Sequence, residues 1–369
     1  MKLLSIFGTR PEAVKLAPIL LALDGEPQVT SQVCVTAQHR ELLDQVLAFF
    51  CIDPDFDLDA MRPAQGLNGL LARVIERIDP ILAGVRPDRV VVQGDTTTAL
   101  AAALAAFHRG IPVAHVEAGL RTYCPAAPFP EEANRRAIAL IADLHFAPTP
   151  AARANLAGER LRGGVHVTGN SGIDALRLVL GQIGATPPAD PAKKLILVTC
   201  HRRESFGTPF AAIGAALERL ARRRDTDILF PRHPNPGLGA APRQAHALPP
   251  LGLPDFVRLM RRADVILTDS GGVQEEAAAL GKPVVILRET TERPEAIEAG
   301  AAVLAGSDPD RIVGAAEAWL EGIVPPPAPS DAYGDGFAAR RIVDALLGRP
   351  VDEFIPNRLA PAAWSTLTS

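Results

Sequence analysis

Short apolar runs alternate with longer segments of helical spacing from one end of the chain to the other. Lys2–Phe7, Gln32–Val35, Arg89–Val92, Pro112–Val116, Leu144–Ala147 and Val165–Val167 are compact apolar runs, and each predicts a buried strand. Between them, Glu12–Leu23, Glu41–Phe50, Leu70–Ala83, Thr97–His108 and Glu131–Ala142 have the length and apolar spacing of helices. Such alternation predicts a doubly wound parallel sheet. Gly184–Pro191 carries three prolines in eight residues and predicts a linker. The rhythm then restarts with Lys194–Val198, Ile228–Phe230, Val265–Leu267 and Val284–Leu287. Two α/β halves, each with an open sheet, are expected to leave a cleft between them. No fixed-period repeat is visible.

Composition narrows the function classes. At 369 residues, with 47% hydrophobic and 22% charged positions, the chain has the balance of a folded protein of about two domains. The longest apolar stretch, Ala99 to Phe107, is nine residues, about half of a membrane span. The first residues lack a small-residue cleavage site and run straight into Arg10 and Glu12, so they predict a first strand rather than a signal peptide. A net charge of −4 offers no basic footprint for nucleic acid. Cys34, Cys51, Cys124 and Cys200 lie too far apart in sequence to suggest zinc or disulfide pairs. The expectation is a reduced, cytoplasmic protein that acts on neither membranes nor nucleic acid.

Ligands of open parallel sheets bind beyond the carboxyl ends of the strands, so the residues after each run matter most. In the first half these are Gly8-Thr9-Arg10-Pro11-Glu12, Gln93-Gly94-Asp95-Thr96-Thr97 and Glu117-Ala118-Gly119-Leu120-Arg121. In the second they are Thr199-Cys200-His201-Arg202-Arg203-Glu204, Arg232-His233 and Asp269-Ser270-Gly271-Gly272. One strand-end charge is commonly a cap or a surface ion pair. Six such ends describe a cleft with carboxylates on one side and Arg, His and helix N-termini on the other.

Ser270, Gly271 and Gly272 open the helical segment Val273–Leu280, where bare backbone N–H groups could meet an anion or Ser270 could simply cap. Glu276, near the same end, could accept from ribose hydroxyls, and Arg10, His201 and Arg202 add the donors a diphosphate needs. No Walker loop is present and no GxGxxG follows a strand, which argues against ATP hydrolysis and a dinucleotide site. Asp95 and Glu117 end two strands, while Glu131 and Glu132 begin a helix on which Glu131 and Arg135 share a face. His115-Val116-Glu117 matches the H-x-E of zinc deaminases, but only Cys124 follows where a cysteine pair is required. Ser270 has Thr268 where a nucleophile elbow needs glycine.

These residues sit in a longer series of motifs: FGTRPEAVKLAP, TAQHRELLDQVL, GDTTT, HVEAGLRT, PFPEEANRR, HFAPT, HRRESFG, TDSGGVQEEAAALGKPVV, TTERPEA and YGDG. In that order and over nearly the whole chain, they resemble the bacterial non-hydrolysing UDP-N-acetylglucosamine 2-epimerases. The resemblance implies two Rossmann-like domains facing across a cleft, as in GT-B glycosyltransferases. Residues 1–183, with a helical return at about 350–369, would form the first domain and residues 184–349 the second. It implies a homodimer that interconverts UDP-GlcNAc and UDP-ManNAc through a 2-acetamidoglucal, without cofactor or metal, for cell-surface polysaccharide. It assigns catalysis to Asp95, Glu117, Glu131, His201 and Lys15. It assigns UDP or substrate binding to Arg10, Arg135, His233, Phe256, Ser270, Gly271, Gly272, Glu276 and Arg293. Gln38, His39 and Gln65 match an activating second UDP-GlcNAc site, but Ala64 and Glu41 stand where Arg and Gln are expected, which implies weakened activation.

The chain departs from the pattern elsewhere too. Gln93 stands in place of His, Cys200 of Gly, Leu253 of Tyr and Arg232 of an aliphatic residue, and the loop Tyr123–Pro128 lacks the usual Gly-Asp/Asn start. A UDP-sugar hydrolase or transferase on the same fold is the alternative enzyme. A non-catalytic UDP-sugar sensor is the alternative outside enzymes, though it would not need Asp95, Glu117 and Glu131.

Overall fold

A computed structural model of the chain describes residues 1–36, 40–62, 65–184, 193–200, 207–232 and 245–357. The chain divides into two compact units, residues 1–175 with 334–356 and residues 176–333 with Asn357 onward. The first unit begins β1 (Lys2–Phe7), α1 (Arg10–Asp24), β2 (Thr30–Val35), α2 (Arg40–Phe49), β3 (Phe56–Asp57), α3 (Leu67–Val85) and β4 (Arg89–Gln93). It continues α4 (Thr97–His108), β5 (Val113–Val116), α5 (Glu131–Ile141), β6 (Leu144–Ala147), α6 (Pro150–Gly158), β7 (Gly164–Val167) and α7 (Ser171–Ile183). Its strands form a parallel sheet in the order β3-β2-β1-β4-β5-β6-β7.

The second unit runs β8 (Lys194–Thr199), α8 (Thr208–Leu220), β9 (Thr226–Pro231), β10 (His246–Leu248), α9 (Leu253–Arg262) and β11 (Val265–Thr268). Next come α10 (Gly271–Ala279), β12 (Val284–Ile286), α11 (Glu295–Glu298), β13 (Ala302–Leu304) and α12 (Pro309–Leu320). Its parallel sheet has the order β10-β9-β8-β11-β12-β13. Both units are doubly wound and Rossmann-like. In the first, the strand order reverses between β1 and β4; in the second, between β8 and β11. These reversals are where open α/β sheets bind ligands. The turns after β1, β4 and β11 are among the segments singled out in the sequence.

Burial on both faces explains the apolar runs. Val90, Val91 and Val92 of β4 are fully buried, as are Val113 and Ala114 of β5 to within a percent. Leu70, Val74, Ile78 and Leu82 line one side of α3, and they pack with the alanine-rich α4 in one core cluster. The second core joins α8 and α12 to the sheet through Ile213, Leu217, Leu220, Ile312 and Trp319. Three strands that the apolar pattern did not predict, β3, β10 and β13, are all sheet edges of two or three residues. Edge strands can be very short, and two or three residues are too few to show a strand pattern.

The chain re-enters the first unit at Gly334, earlier than the expected return near residue 350, and forms α13 (Ala338–Leu346). Ala338, Ala339, Ile342, Val343 and Leu346 bury one face of α13, and α1 is its helical neighbour. Asp174 of α7 supplies the cap: its carboxylate accepts from the N–H groups of Ala338 (3.2 Å) and Ala339 (2.8 Å). The first unit therefore ends within α7 and not at the proline-rich segment, of which residues 185–192 lie outside the described residues.

Burial raises the Asp174 carboxyl to about 6, against the downward pull of the two N–H groups. The folded state then holds a proton that the unfolded chain has lost across the interval from about 4 to 6. Stability contributed by this group is present at acid pH and is lost as pH rises through that window. Asp174→Asn should therefore cost most near pH 4 and least near pH 7, with the difference on the order of 2–3 kcal/mol. Urea midpoints of both proteins at the two pH values measure it. A pH-independent difference would contradict the burial argument.

Candidate active site

Glu117 directly follows β5 with φ of +64°, a left-handed conformation uncommon for a residue with a side chain. Donors from separate segments meet its carboxylate. Lys15 of α1 forms an ion pair through Oε1, with both side chains largely buried. Gln93 at the end of β4 donates to Oε2, and Asn170 donates to Oε1 at 3.0 Å. Gln93, the replacement for an expected His, thus holds a carboxylate as a ring N–H could. Gly94 lies so close that a Cβ there would sit 3.4 Å from Glu117 Oε2, and its φ of +66° suits glycine.

Asp95 follows directly. Its carboxylate pairs with Arg135 of α5 at 2.7 Å, and its backbone carbonyl accepts from Asn134 Nδ2 at 2.8 Å. Glu131, the half-buried first residue of α5, stands one turn before Arg135 on the same face. The structure therefore brings Lys15, Asp95, Glu117 and Arg135 into one neighbourhood and sets Glu131 at its helical rim. Glu132 lies 3.6 Å from Arg135 and has a further task. Fully buried, it accepts from the N–H groups of Thr122 and Tyr123, both at 3.0 Å, and so clamps the loop that leads into α5.

Two buried groups hold the turns in place. Glu12 accepts from the N–H of Gly8 (3.1 Å), the N–H of Thr9 (2.8 Å) and the Thr96 hydroxyl (2.8 Å), which joins the start of α1 to the turn carrying Asp95. Burial raises its carboxyl above the usual range. His115 Nε2 meets the Gly94 carbonyl at 2.7 Å, and burial lowers the imidazole to about 3, so the ring is neutral with the proton on Nε2. The histidine that resembled a zinc ligand in sequence is a brace for the Gly94–Asp95 turn. Arg10 is the first residue of α1 and is half-buried at this strand end.

In the second unit Ser270 is the N-cap of α10, and its side chain makes no cap hydrogen bond. Gly271 and Gly272 open the helix, where N–H groups lack intrahelical partners. Arg293 is buried beneath them: a Cβ on Gly271 would lie 2.4 Å from its Nη1. Its guanidinium is bonded to Glu275 at 2.5 Å and to Glu292. The Tyr333 hydroxyl accepts from Ala296 N–H and donates to the Arg293 carbonyl, at 2.9 and 3.1 Å, and so fixes the loop behind the arginine. Glu276 is half-buried on α10, and Phe256 is half-buried in the first turn of α9.

His201, Arg202 and His233 lie outside the described residues, as do Gln38, His39 and Ala64 of the activating site. Gln65 accepts from Arg73 of α3, which also bonds the Ala60 carbonyl at 3.2 Å. Asn170 was missed in the sequence although the strand-end rule reaches it, because it follows β7 as Asp95 follows β4. The roles of Glu12 and His115 carry no signal in a single sequence, since both depend on contacts between separate turns.

Comparisons with known proteins bear on this arrangement. The family model for UDP-N-acetylglucosamine 2-epimerase matches residues 21–347. UDP-N-acetylglucosamine 2-epimerase of Escherichia coli is 49% identical over 94% of this chain and 98% of its own length. The Bacillus subtilis protein of the same name is 45% identical over 94% and 95%. The crystal structure of Neisseria meningitidis UDP-GlcNAc 2-epimerase bound to UDP-GlcNAc superposes with a TM-score of 0.89 at 42% identity, covering 95% of this chain and 100% of that one. The Methanocaldococcus jannaschii enzyme in complex with UDP-GlcNAc and UDP gives 0.86 at 32% identity, over 94% and 100%. A match of this length and identity leaves one assignment: the chain belongs to the UDP-N-acetylglucosamine 2-epimerase family.

Proposed function

We propose that this protein interconverts UDP-GlcNAc and UDP-ManNAc by elimination and re-addition of UDP. The observation that carries the proposal is the grouping of Asp95, Glu117, Lys15 and Arg135 at the β4 and β5 strand ends, with Glu131 one turn from Arg135. The hydrogen on sugar C2 has no carbonyl beside it, so direct proton abstraction is difficult. In the proposed route a carboxylate takes the C2 proton as the C1–O bond to the diphosphate breaks, and a C1=C2 double bond forms. This gives 2-acetamidoglucal and UDP. Re-addition of UDP at C1 with a proton delivered to the other face of C2 yields the epimer, so atoms and charge balance over the cycle.

Such chemistry needs two acid/base groups at C2 and positive charge around the leaving diphosphate. Asp95 and Glu131 take the first role, and the Lys15–Glu117 pair supports them. Arg10, the Ser270–Gly272 helix start and, by family match, His201 take the second. Glu276 serves the ribose, Phe256 the uracil, and Arg135, His233 and Arg293 complete the substrate contacts. No cofactor or metal enters these steps. A homodimer acting in the cytoplasm to feed cell-surface polysaccharide belongs to the same proposal.

Incubation with UDP-GlcNAc in D2O, followed by proton NMR, tests it. UDP-ManNAc with deuterium at C2 is the expected product. Free ManNAc and UDP as main products would make the protein a hydrolase, and binding without exchange would make it a sensor.

A further inference from the structure

Asn170 lies between β7 and α7 and is 2% exposed. Its amide is used at both ends. Oδ1 accepts from Gly172 N–H at 2.9 Å, a helix cap for α7, and Nδ2 donates to Glu117 Oε1 at 3.0 Å. Among short side chains only an amide offers an acceptor and a donor in one plane. The neighbouring backbone is held just as closely. A Cβ on Gly334 would lie 3.2 Å from Asn170 N and 3.3 Å from its carbonyl oxygen, and Gly334 itself has φ of +153°. A Cβ on Gly172 would lie 3.6 Å from both Cγ and Cε of Lys15. The start of α7 therefore borders both members of the Lys15–Glu117 pair.

We propose that Asn170 is a positioning residue: its Nδ2 fixes the Glu117 carboxylate while Oδ1 caps α7, and the chain's return at Gly334 keeps it there. The proposal rests on Glu117 belonging to the epimerisation machinery described above. Glu117 stands on left-handed backbone just past the strand, and donors from separate segments converge on its carboxylate. Its aim depends on the donors around it. Lys15 is a rotatable point donor, whereas the Asn170 amide is planar and anchored at its other end.

Two substitutions separate capping from positioning, because Ser and Asp are both good helix caps. Asn170→Ser keeps a cap but falls short of Glu117. It should lower Tm by no more than the loss of one hydrogen bond to a charged group, leave KM close to wild type and lower kcat by on the order of 10- to 100-fold. Asn170→Asp keeps size and cap but sets an oxygen against Glu117 Oε1. Its kcat should fall similarly at pH 8 and recover as pH is lowered, because two facing carboxyls share a proton and the protonated one donates as the amide did. Asn170→Ser should show no such recovery. In a Glu117→Gln background, Asn170→Asp should regain Tm, since the new amide can donate to the new carboxylate.

Wild-type kcat in Asn170→Ser, or an Asn170→Asp pH profile and Tm indifferent to the residue at 117, would reduce Asn170 to a helix cap. A wild-type protein that does not exchange UDP-GlcNAc with UDP-ManNAc would instead sink the functional reading. The Tm comparison between backgrounds tests the contact in either case.

Discussion

Asp95→Asn and Glu131→Gln are each expected to lower turnover by on the order of 10²-fold or more, the scale of general acid–base catalysis. Epimerisation at C2 removes a proton from one face and returns one to the other, which a single carboxylate does not readily do. Asp95 extends from the β4 turn and Glu131 from the first turn of α5, so the two originate on different elements. Asp95→Asn takes one negative charge from the buried Arg135, which keeps Glu132 at 3.6 Å as a second carboxylate partner. Asn at 95 retains a carbonyl that can accept from Arg135, and the backbone bond from Asn134 is untouched. Gln at 131 loses a favourable charge at a helix N-terminus, about 0.3–1 kcal/mol. UDP affinity by calorimetry should stay near wild type, because the helix start proposed for the diphosphate belongs to α10. C2 deuterium wash-in should fall with turnover. Near-normal turnover in either variant would remove that residue from the pair. Joint loss of UDP binding would make both carboxylates structural.

The strands that carry this chemistry were legible because they are central. Burial on both faces forces continuous apolar runs such as Arg89–Val92, and the residue after such a run is placed by the sheet itself. Asp95 and Glu117 could therefore be named from position alone, and the motif series then supplied their roles. Position alone could not rank adjacent residues of like charge; only the motif match separated them. Glu131 and Glu132 both begin α5, yet Glu132 is spent on the 122–123 loop, a contact set by the loop's path. Nor could it show that Asp174 caps a helix starting at residue 338, because that bond joins positions more than 160 apart. Pattern reports what the chain does locally; the return of α13 to the first unit is decided by packing.

Breaking the Lys15–Glu117 pair is expected to cost stability and activity in different proportions. Lys15 and Glu117 side chains are 11% and 7% exposed, so each charge has lost most of its water. Removing one partner of such a pair typically costs about 3–5 kcal/mol. Lys15→Met should fall at the low end, since Gln93 and Asn170 still donate to the carboxylate. Glu117→Gln should cost more, since the ammonium then faces a neutral amide in place of a carboxylate. The double variant should lose less than the sum of the singles, because no charge is left stranded, with a coupling of about 1 kcal/mol or more. Urea midpoints at constant m-value measure all three. Turnover should behave differently: each single and the double should stay depressed by on the order of 10²-fold, since restored packing returns no functional carboxylate. Strictly additive stability losses would show that the two groups are held independently by their other partners. Activity that returned together with stability in the double variant would show that the pair serves the fold and not the reaction.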